Sequence, residues 1–577
     1  MKINLFDPCV KIKNLTSNLL LKIYKIYAAS SIPLITATII FYFYTSIKFS
    51  VNMPYSDDYD AILDFINKFY THNDLGYRLY LLFSQFHEHR IVFNRLITLF
   101  FFNIIGKIDF KILSIVGNFG LLFIILFLII LFKKKYNFKT SELLPVVITM
   151  LCFSQWELMS NFPMASIQQY YELLFSIISI TAFTYEGYGF ILGTVFFVIA
   201  VFTGGGGLFI SPIVLLYLFL TKQYKKFSIF LTASLIIFFI YFPLLHYISP
   251  SIKDTLIFCL KNPASLLGYM MIFIASAAKN YALVFIIAIF LILNYLWLLR
   301  RKLNKENYAL ILLISFVFLT SLVVGLNRIF LGFDSAMFSR YTIYSLFLFS
   351  LSYISLFLNA KNENIRKIIT LSGLILSIVL YVSWIQTAYS ELSDKQHMLN
   401  TFMSYPYQDK AFENIRFAKN HGWFTPIQNV YDNTKREFYL AKNIKQLKKY
   451  NAPPLLVLTY FYKYPFPFEN KQFKLIVKRY DNINLYGWAL DPFALNTASF
   501  LYADIDGKLY PLTYGFPRKD VVKLFKIPQF KFSGFNSNVS IKDLPNGSHQ
   551  FSLIVVNHDE NAYYQTESLT FYKKTSN

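Results

Sequence analysis

Ser31-Ile-Pro-Leu-Ile-Thr-Ala-Thr-Ile-Ile-Phe-Tyr-Phe-Tyr-Thr-Ser-Ile-Lys48 is followed four residues later by Asn52-Met-Pro-Tyr-Ser-Asp-Asp-Tyr-Asp60. The first stretch is long and apolar enough to cross ~30 Å of hydrocarbon as a helix. The second sets three carboxylates just beyond it. Apolar runs of this kind recur as far as Gln386, in a chain of 577 residues that is 55% hydrophobic, 19% aromatic and only 15% charged. Soluble domains carry about a quarter charged residues and lack such runs. The chain therefore reads as a polytopic α-helical membrane protein.

Its net charge of +23 does not point to nucleic acid, because no basic stripe follows one folded surface. The cations sit instead in short connectors between apolar runs. These are Lys133-Lys-Lys135 with Lys139; Lys222 with Lys225 and Lys226; Arg300-Arg-Lys302 with Lys305; and Lys361 with Arg366 and Lys367. Lys2, Lys11, Lys13, Lys22 and Lys25 add to them at the N-terminus. By the positive-inside rule these are cytoplasmic. Residues 1–30 then form a cytoplasmic tail, and 31–387 a membrane domain of about eleven crossings. Its spans fall near 31–48, 112–132, 143–156, 171–186, 189–203, 207–220, 228–247, 281–299, 308–326, 341–358 and 367–386. The first run lacks a small-residue cleavage site and reads as a retained anchor.

On this topology 49–110 is an outer loop. Ile62, Phe65, Ile66 and Phe69, and then Ile91, Leu96, Ile97, Phe100, Phe101 and Ile104, recur at helical spacing. Two amphipathic helices at the membrane surface fit that period. The stretch 248–280 is a second outer segment. From Ala388 the charged, Asn, Pro and Gly content rises. Residues 388–470 read as an α-rich linker region outside the membrane, and 471–577 as a small all-β antiparallel sandwich with turn signals at Asp506-Gly507 and Pro545-Asn-Gly547. Cys9, Cys152 and Cys259 have neither metal nor disulfide spacing.

Several groups of residues carry candidate chemistry. Asp57, Asp58 and Asp60 suit capping of a following helix, with Asp57 at the N-cap and Asp60 at the third position. Equally, one of them suits general-base work on an acceptor hydroxyl. His87, Glu88 and His89 resemble a metal cluster, but no further ligand stands at a recognised spacing, so no metal ligand is assigned. They also suit a polar pocket wall or a contact between the two surface helices. Arg90 and Arg95 would pair with the acids or with a phosphate. Arg328 and Arg340 flank an outer loop, and an arginine at the mouth of an apolar helix, costing ~2.5–3.5 kcal/mol at mid-bilayer, calls for an anionic partner. Snorkelling to lipid headgroups is the plainer alternative, but the two together, on the same side as the three aspartates, favour a bound phosphate or diphosphate. Trp156-Glu157, Asn161 and Gln168-Gln169 offer pocket groups at another outer turn. Gly204-Gly-Gly-Gly207 lacks the Lys-Ser/Thr of a phosphate loop and reads as a tight helix connection.

In order, these features resemble the GT-C superfamily of polytopic glycosyltransferases, whose members place an acidic motif in the first outer loop. Asp57-Asp58 is similar to that acidic pair. Glu88-His-Arg90, Trp156-Glu157…Asn161 and Ser339-Arg-Tyr341 look like segments of an uncharacterised bacterial branch. Gly487-Trp-Ala-Leu-Asp491 with Gly515-Phe-Pro-Arg-Lys-Asp-Val521 looks like a sandwich domain appended to some envelope glycosyltransferases.

The resemblance implies transfer of a sugar from a polyprenyl-phosphate or -diphosphate donor to a glycan, lipid or protein acceptor. The reaction would take place on the outer face of a bacterial cytoplasmic membrane, with or without a divalent metal. Asp57, Asp58 or Asp60 would be the catalytic acid. Arg340, Arg328 and Arg90 would bind the phosphate, and Glu88, His89, Tyr341, Trp156 and Asn161 would line the pocket. A polysaccharide polymerase or ligase shares these substrates. A lipid-linked-sugar flippase would instead want ionisable residues at mid-membrane and inverted repeats.

Overall fold

Within hydrocarbon each backbone N–H and C=O must be bonded inside its own segment, so apolar runs fold as helices. The computed structural model of the chain carries them so. It describes residues 7–248, 253–300, 307–452, 454–461, 464–465, 475–478 and 482–574. Lys2, Arg301, Lys302 and Lys305 of the basic connectors, and the expected boundary between linker and β-region at 470/471, lie outside the described residues.

The helices in chain order begin with α1 (Asp7–Phe49), α2 (Phe65–Thr71), α3 (Leu75–Phe83), α4 (Val92–Ile105), α5 (Phe110–Tyr136), α6 (Thr140–Met150) and α7 (Trp156–Met159). Next come α8 (Pro163–Phe183), α9 (Gly189–Val201), α10 (Ile210–Leu220), α11 (Tyr224–Phe239), α12 (Lys253–Lys261), α13 (Pro263–Ile274) and α14 (Tyr281–Arg300). The series ends with α15 (Tyr308–Arg328), α16 (Thr342–Leu358), α17 (Glu363–Thr401), α18 (Gln408–Asn420), α19 (Gln428–Asn443) and α20 (Lys519–Phe525). Among the described residues eight helices are long and apolar enough to cross a membrane, or up to nine if the bent pair α12–α13 is one span. The chain is thus a multi-pass membrane protein.

The structure departs from the sequence expectations in definite places. Of the eleven expected runs, those at 189–203 and 207–220 are short apolar helices, and that at 171–186 lies in α8, which is not among the eight. The segment 248–280 is not a plain loop: α12 and α13 meet at 104° across Asn262-Pro263, where proline cannot continue the preceding helix. Two surface helices were expected in 49–110, yet three form, α3 being the addition. Helix α1 is already helical at Asp7, within the expected tail. Helix α17 runs 39 residues, well past its apolar part.

Contacts divide the chain into two units, one of 1–50, 74–97 and 111–392, the other of 51–73, 98–110 and 393–577. The first is held by buried polar side chains as well as by apolar packing. Tyr42 of α1 donates to Asn118 of α5 (2.8 Å). Asn118 donates to the Met159 carbonyl (2.9 Å), which also receives Ser46 (2.6 Å). In an apolar medium such bonds define which helix faces meet. Asn161 donates to the Phe49 carbonyl (2.7 Å), closing the C-terminal end of α1.

In the second unit the strands are β1 (Lys448–Lys449), β2 (Leu455–Phe461), β3 (Tyr464–Pro465), β4 (Leu475–Lys478), β5 (Asn482–Asp491), β6 (Asn496–Thr497) and β7 (Phe500–Ile505). They continue with β8 (Lys508–Pro511), β9 (Tyr514–Phe516), β10 (Gly534–Ser540), β11 (Gly547–Val556), β12 (Ala562–Gln565) and β13 (Leu569–Lys574). One sheet runs β1-β12-β11-β13-β4, with β7 and β8 on the other side of β11; the second runs β3-β2-β5-β10-β9, with β6 on β5. Period-two burial makes one face of each sheet apolar. Ile483, Leu485 and Phe535 of one sheet share a core with Leu501, Ile505, Phe551, Leu553 and Val555 of the other. Purely antiparallel pairing was expected, but β1 pairs β12 and β4 pairs β13 in parallel. Both are upstream strands separated from their partners by long connections, which parallel pairing requires.

The two quoted motifs of this region meet. Trp488 packs with Val521 and Phe530. A Cβ on Gly487 would lie 2.1 Å from the Val457 carbonyl oxygen, so only glycine fits there. Asp491 is buried and accepts the amides of Phe493 (3.0 Å), Ala494 (3.3 Å) and His558 (2.8 Å), pinning the turn after β5.

Candidate functional site

The candidate residues fall in both units: Asp57, Asp58 and Asp60 belong to the second, the remainder to the first.

The acidic stretch is conformationally unusual. Ser56 adopts a left-handed φ of 49°, and the chain then enters a π-helix, Tyr59–Asp64. Such turns cost energy and concentrate at functional sites. The Asp57 carbonyl accepts the amides of Asp60 (3.2 Å) and Ala61 (2.8 Å), so the helical turns open where the cap was expected. Asp58, heading the π-helix, makes no side-chain capping bond to it; its carboxylate accepts the Tyr55 amide (3.1 Å) and is buried. Asp60 accepts from the Tyr405 hydroxyl (2.5 Å) and from the Lys410 ammonium (2.5 Å). Burial first, and the Asp60 charge second, push the Tyr405 hydroxyl far above its ordinary pKa, so it stays protonated and donates. Tyr405 also stacks on Tyr59, with ring centroids 4.9 Å apart. Asp60 is therefore an anchor between the π-helix and the segment ahead of α18, and Asp57 is the more open of the other two acids.

In the first unit, segments far apart in sequence converge. Arg340 donates to Glu157 (2.9 Å), and the Arg340 backbone amide points at the other carboxylate oxygen (3.3 Å). Ser339 locks this pair from below: its hydroxyl accepts the Glu157 amide (3.0 Å) and donates to the Ser154 carbonyl (2.8 Å). The Arg340 guanidinium lies 5.0 Å from the Phe338 ring and 5.4 Å from the Tyr341 ring. Arg328 lies 5.9 Å from the same Tyr341 ring and pairs with Glu88 at 3.7 Å. Both members of that second pair are substantially exposed, so it contributes little to stability. Glu157 is only 14% exposed, and removing Arg340 would strand a largely desolvated carboxylate.

Glu88 and His89 are not helical. Phe86 and His89 exchange backbone bonds (2.7 and 2.9 Å) around a tight turn in which His87 has a φ of 48°. The Gly205 amide donates to His89 Nδ1 (3.3 Å), which requires a neutral ring protonated at Nε2. Burial, offset by Glu88 and reinforced by Arg328, lowers the His89 pKa and so favours that form. Arg90 is fully buried. It donates to the carbonyls of Tyr241 (3.0 Å), Phe83 (2.7 Å) and Leu245 (2.9 Å), and lies 5.2 Å from the Tyr241 ring. Its charge thus completes the C-terminal ends of α3 and of the π-turn after α11. Trp156 is half-buried next to Glu157, and Asn161 serves the end of α1.

Sequence reasoning missed Glu172, midway along α8 and buried. The tetraglycine wraps it. A Cβ on Gly204 would sit 1.9 Å from one carboxylate oxygen, and one on Gly206 2.0 Å from the other. The Gly206 and Gly207 amides face the carboxylate. On the opposite side, a Cβ on Gly205 would lie 2.7 Å from His89 Nδ1. The glycines form the expected tight connection, a 3-10 turn over Gly205–Phe209, but its composition is set by what it holds. No signal in the sequence links Glu172 to a loop some thirty residues later.

The first unit therefore brings together Glu88, His89, Arg328, Arg340 and Tyr341 with Glu157 and the glycine cradle. Chemically this is an aromatic-walled cluster of two paired arginines, Arg328 with Glu88 and Arg340 with Glu157, in which an incoming anion would compete with the glutamates. Among the described residues, no group of three or more His, Cys, Asp or Glu side chains could hold a metal ion. No protein-family model matches the chain, and it has no significant match among curated proteins or solved structures.

Proposed function

We propose that the chain is a GT-C-type membrane glycosyltransferase, taking a sugar from a polyprenyl-phosphate or -diphosphate donor to a cell-envelope glycan, lipid or protein acceptor outside the cytoplasm. The observation that carries this reading is the convergence of Trp156-Glu157 with Ser339-Arg340-Tyr341 and Arg328, two arginines set around one aromatic ring. In this reading Arg340 and Arg328 bind the lipid phosphate and stabilise the charge growing on it as the sugar departs. Arg90 holds the ends of α3 and of the π-turn after α11, its donors being occupied by carbonyls. The acceptor proton goes to Asp57 or Asp58, Asp60 being an anchor. The two-sheet C-terminal region is a β-sandwich that orients the acceptor.

The test is transfer of labelled sugar from polyprenyl-phosphate donors by the purified full-length protein. Arg340→Ala should lower transfer ~100-fold or more, as loss of one transition-state donor does elsewhere, while Lys225→Ala leaves it unchanged. Equal activity in both variants would remove the anion-binding role.

One observation favours a different class. Glu172 is a buried carboxylate midway along a helix, the kind of residue that marks ion or proton pathways in transporters. A flippase of lipid-linked sugars would move its substrate without cleaving it. Translocation in vesicles by a transfer-inactive protein, abolished by Glu172→Gln, would favour that reading.

A further inference from the structure

Helix α20 and the turn after it carry Arg518, Lys519, Lys523, Lys526 and Lys531, against Asp520 as the single acid of that stretch. Lys519 and Lys523 are spaced i and i+4 on the helix, Lys526 follows at its left-handed C-cap, and all three are exposed. The helix is fixed from the other side, where Val521 is buried beside Trp488 and Phe525 stands edge-on to the Trp488 ring at 5.7 Å. The lysine row is thus presented on a rigid support.

Beside it, Asp394 of α17 is only 4% exposed and is shared by two cations, Lys531 in direct contact and Lys519 at 3.6 Å. One carboxylate cannot cancel both. Arg518 is held by Asp520 (2.6 and 2.9 Å) and lies 5.6 Å from the Tyr486 ring, which is 38% exposed. The face therefore carries five cations, two carboxylates and a half-exposed aromatic ring backed by a guanidinium.

We infer that this face binds an acidic polysaccharide, a glycan bearing carboxylate or phosphate groups on successive units. Charge complementarity asks for a polyanion, since Lys519, Lys523, Lys526 and Lys531 are spread over the helix, its cap and the turn beyond, where no single small anion covers them. Tyr486, backed by the Arg518 guanidinium, adds a flat aromatic surface on which a sugar ring can stack. An anionic bilayer fits less well. Leu524 is the one large apolar side chain of α20 that is strongly exposed among the described residues, too little to enter the acyl boundary. The inference stands whether or not the chain transfers sugar.

The test uses the full-length protein in detergent, with polygalacturonate, neutral dextran and phosphatidylglycerol vesicles as probes. Polygalacturonate should bind and dextran should not, and added salt should weaken binding. The double variant Lys523→Glu/Lys526→Glu should lose about tenfold or more in affinity through reversed charge at the contact. Lys442→Glu/Lys445→Glu, the same charge change on exposed residues elsewhere in this unit, should stay within about twofold. Lys523→Gln/Lys526→Gln gives a milder loss and guards against misfolding. An equal loss in both reversal variants would mean binding by net charge alone and would overturn the proposal. So would vesicle binding, abolished by Lys523→Glu/Lys526→Glu, without polysaccharide binding.

Discussion

The tetraglycine–Glu172 contact makes the sharpest quantitative prediction. In Gly206→Ala the new methyl would stand 2.0 Å from the Glu172 carboxylate, where contacts under 3.0 Å essentially do not occur. Either the loop moves by about an ångström or Glu172 leaves its amides. Overpacking of this kind costs ~1–3 kcal/mol, and moving a buried carboxyl away from the amides that face it adds up to ~1–3 kcal/mol. At ~2 °C per kcal/mol for a large chain, the melting temperature of the detergent-solubilised protein should fall by about 5–10 °C. Glu172→Asp withdraws the carboxylate by about one bond, ~1.5 Å, which exceeds the relief required. Gly206→Ala/Glu172→Asp should therefore melt higher than the sum of the single effects allows, with a coupling of ~1–2 kcal/mol. Strict additivity, or a Gly206→Ala protein as stable as wild type, would refute the cradle.

Two further outcomes follow from the same geometry. His89 has its pKa lowered in the fold, so its stabilising effect is complete above the unfolded value near 6.5 and is lost as pH falls below it, at up to ~1.4 kcal/mol per pH unit. The melting temperature should drop between pH 7 and pH 5, and the drop should shrink in His89→Gln. Asp60→Asn keeps the shape but replaces the charge that holds Lys410 and Tyr405; it should cost ~1–3 kcal/mol, read as a lower melting temperature and faster proteolysis between residues 51 and 73. The reasoning fails if Asp60→Asn is as protease-resistant as wild type.

Much of the membrane architecture was legible because hydropathy reports burial in lipid directly. The runs beginning near 112, 281, 308 and 341 became α5, α14, α15 and α16 within a few residues. Where the sequence misled, a second rule was competing. Lys253, Asp254 and Lys261 dilute the apolar signal of α12, and Asn262-Pro263 splits it from α13, so a helix pair read as loop. The polar end of α17 lacks apolar character but continues the same helix to Thr401. In the candidate site, residue types were readable and partners were not. Arg340 was expected to need an anion, and that anion is Glu157, 183 positions earlier. Arg90 looked like a ligand group, and its donors meet the carbonyls of Phe83, Tyr241 and Leu245, which no sequence pattern announced. Glu172 carried no signal at all, since a lone acid in a helix becomes meaningful only once Gly204–Gly207 is folded onto it.

In the proposed reading, sugar transfer depends on the acidic stretch at the head of the π-helix. The direct measurement is release of polyprenyl phosphate coupled to labelled-sugar incorporation, comparing wild type with Asp57→Asn, Asp58→Asn, the double variant and Asp60→Asn, each shown to be folded. One of the first two single variants should lose transfer by ~100-fold or more, the scale of general-base catalysis, while Asp60→Asn turns over and melts lower. Full transfer by Asp57→Asn, Asp58→Asn and the double variant alike would contradict it.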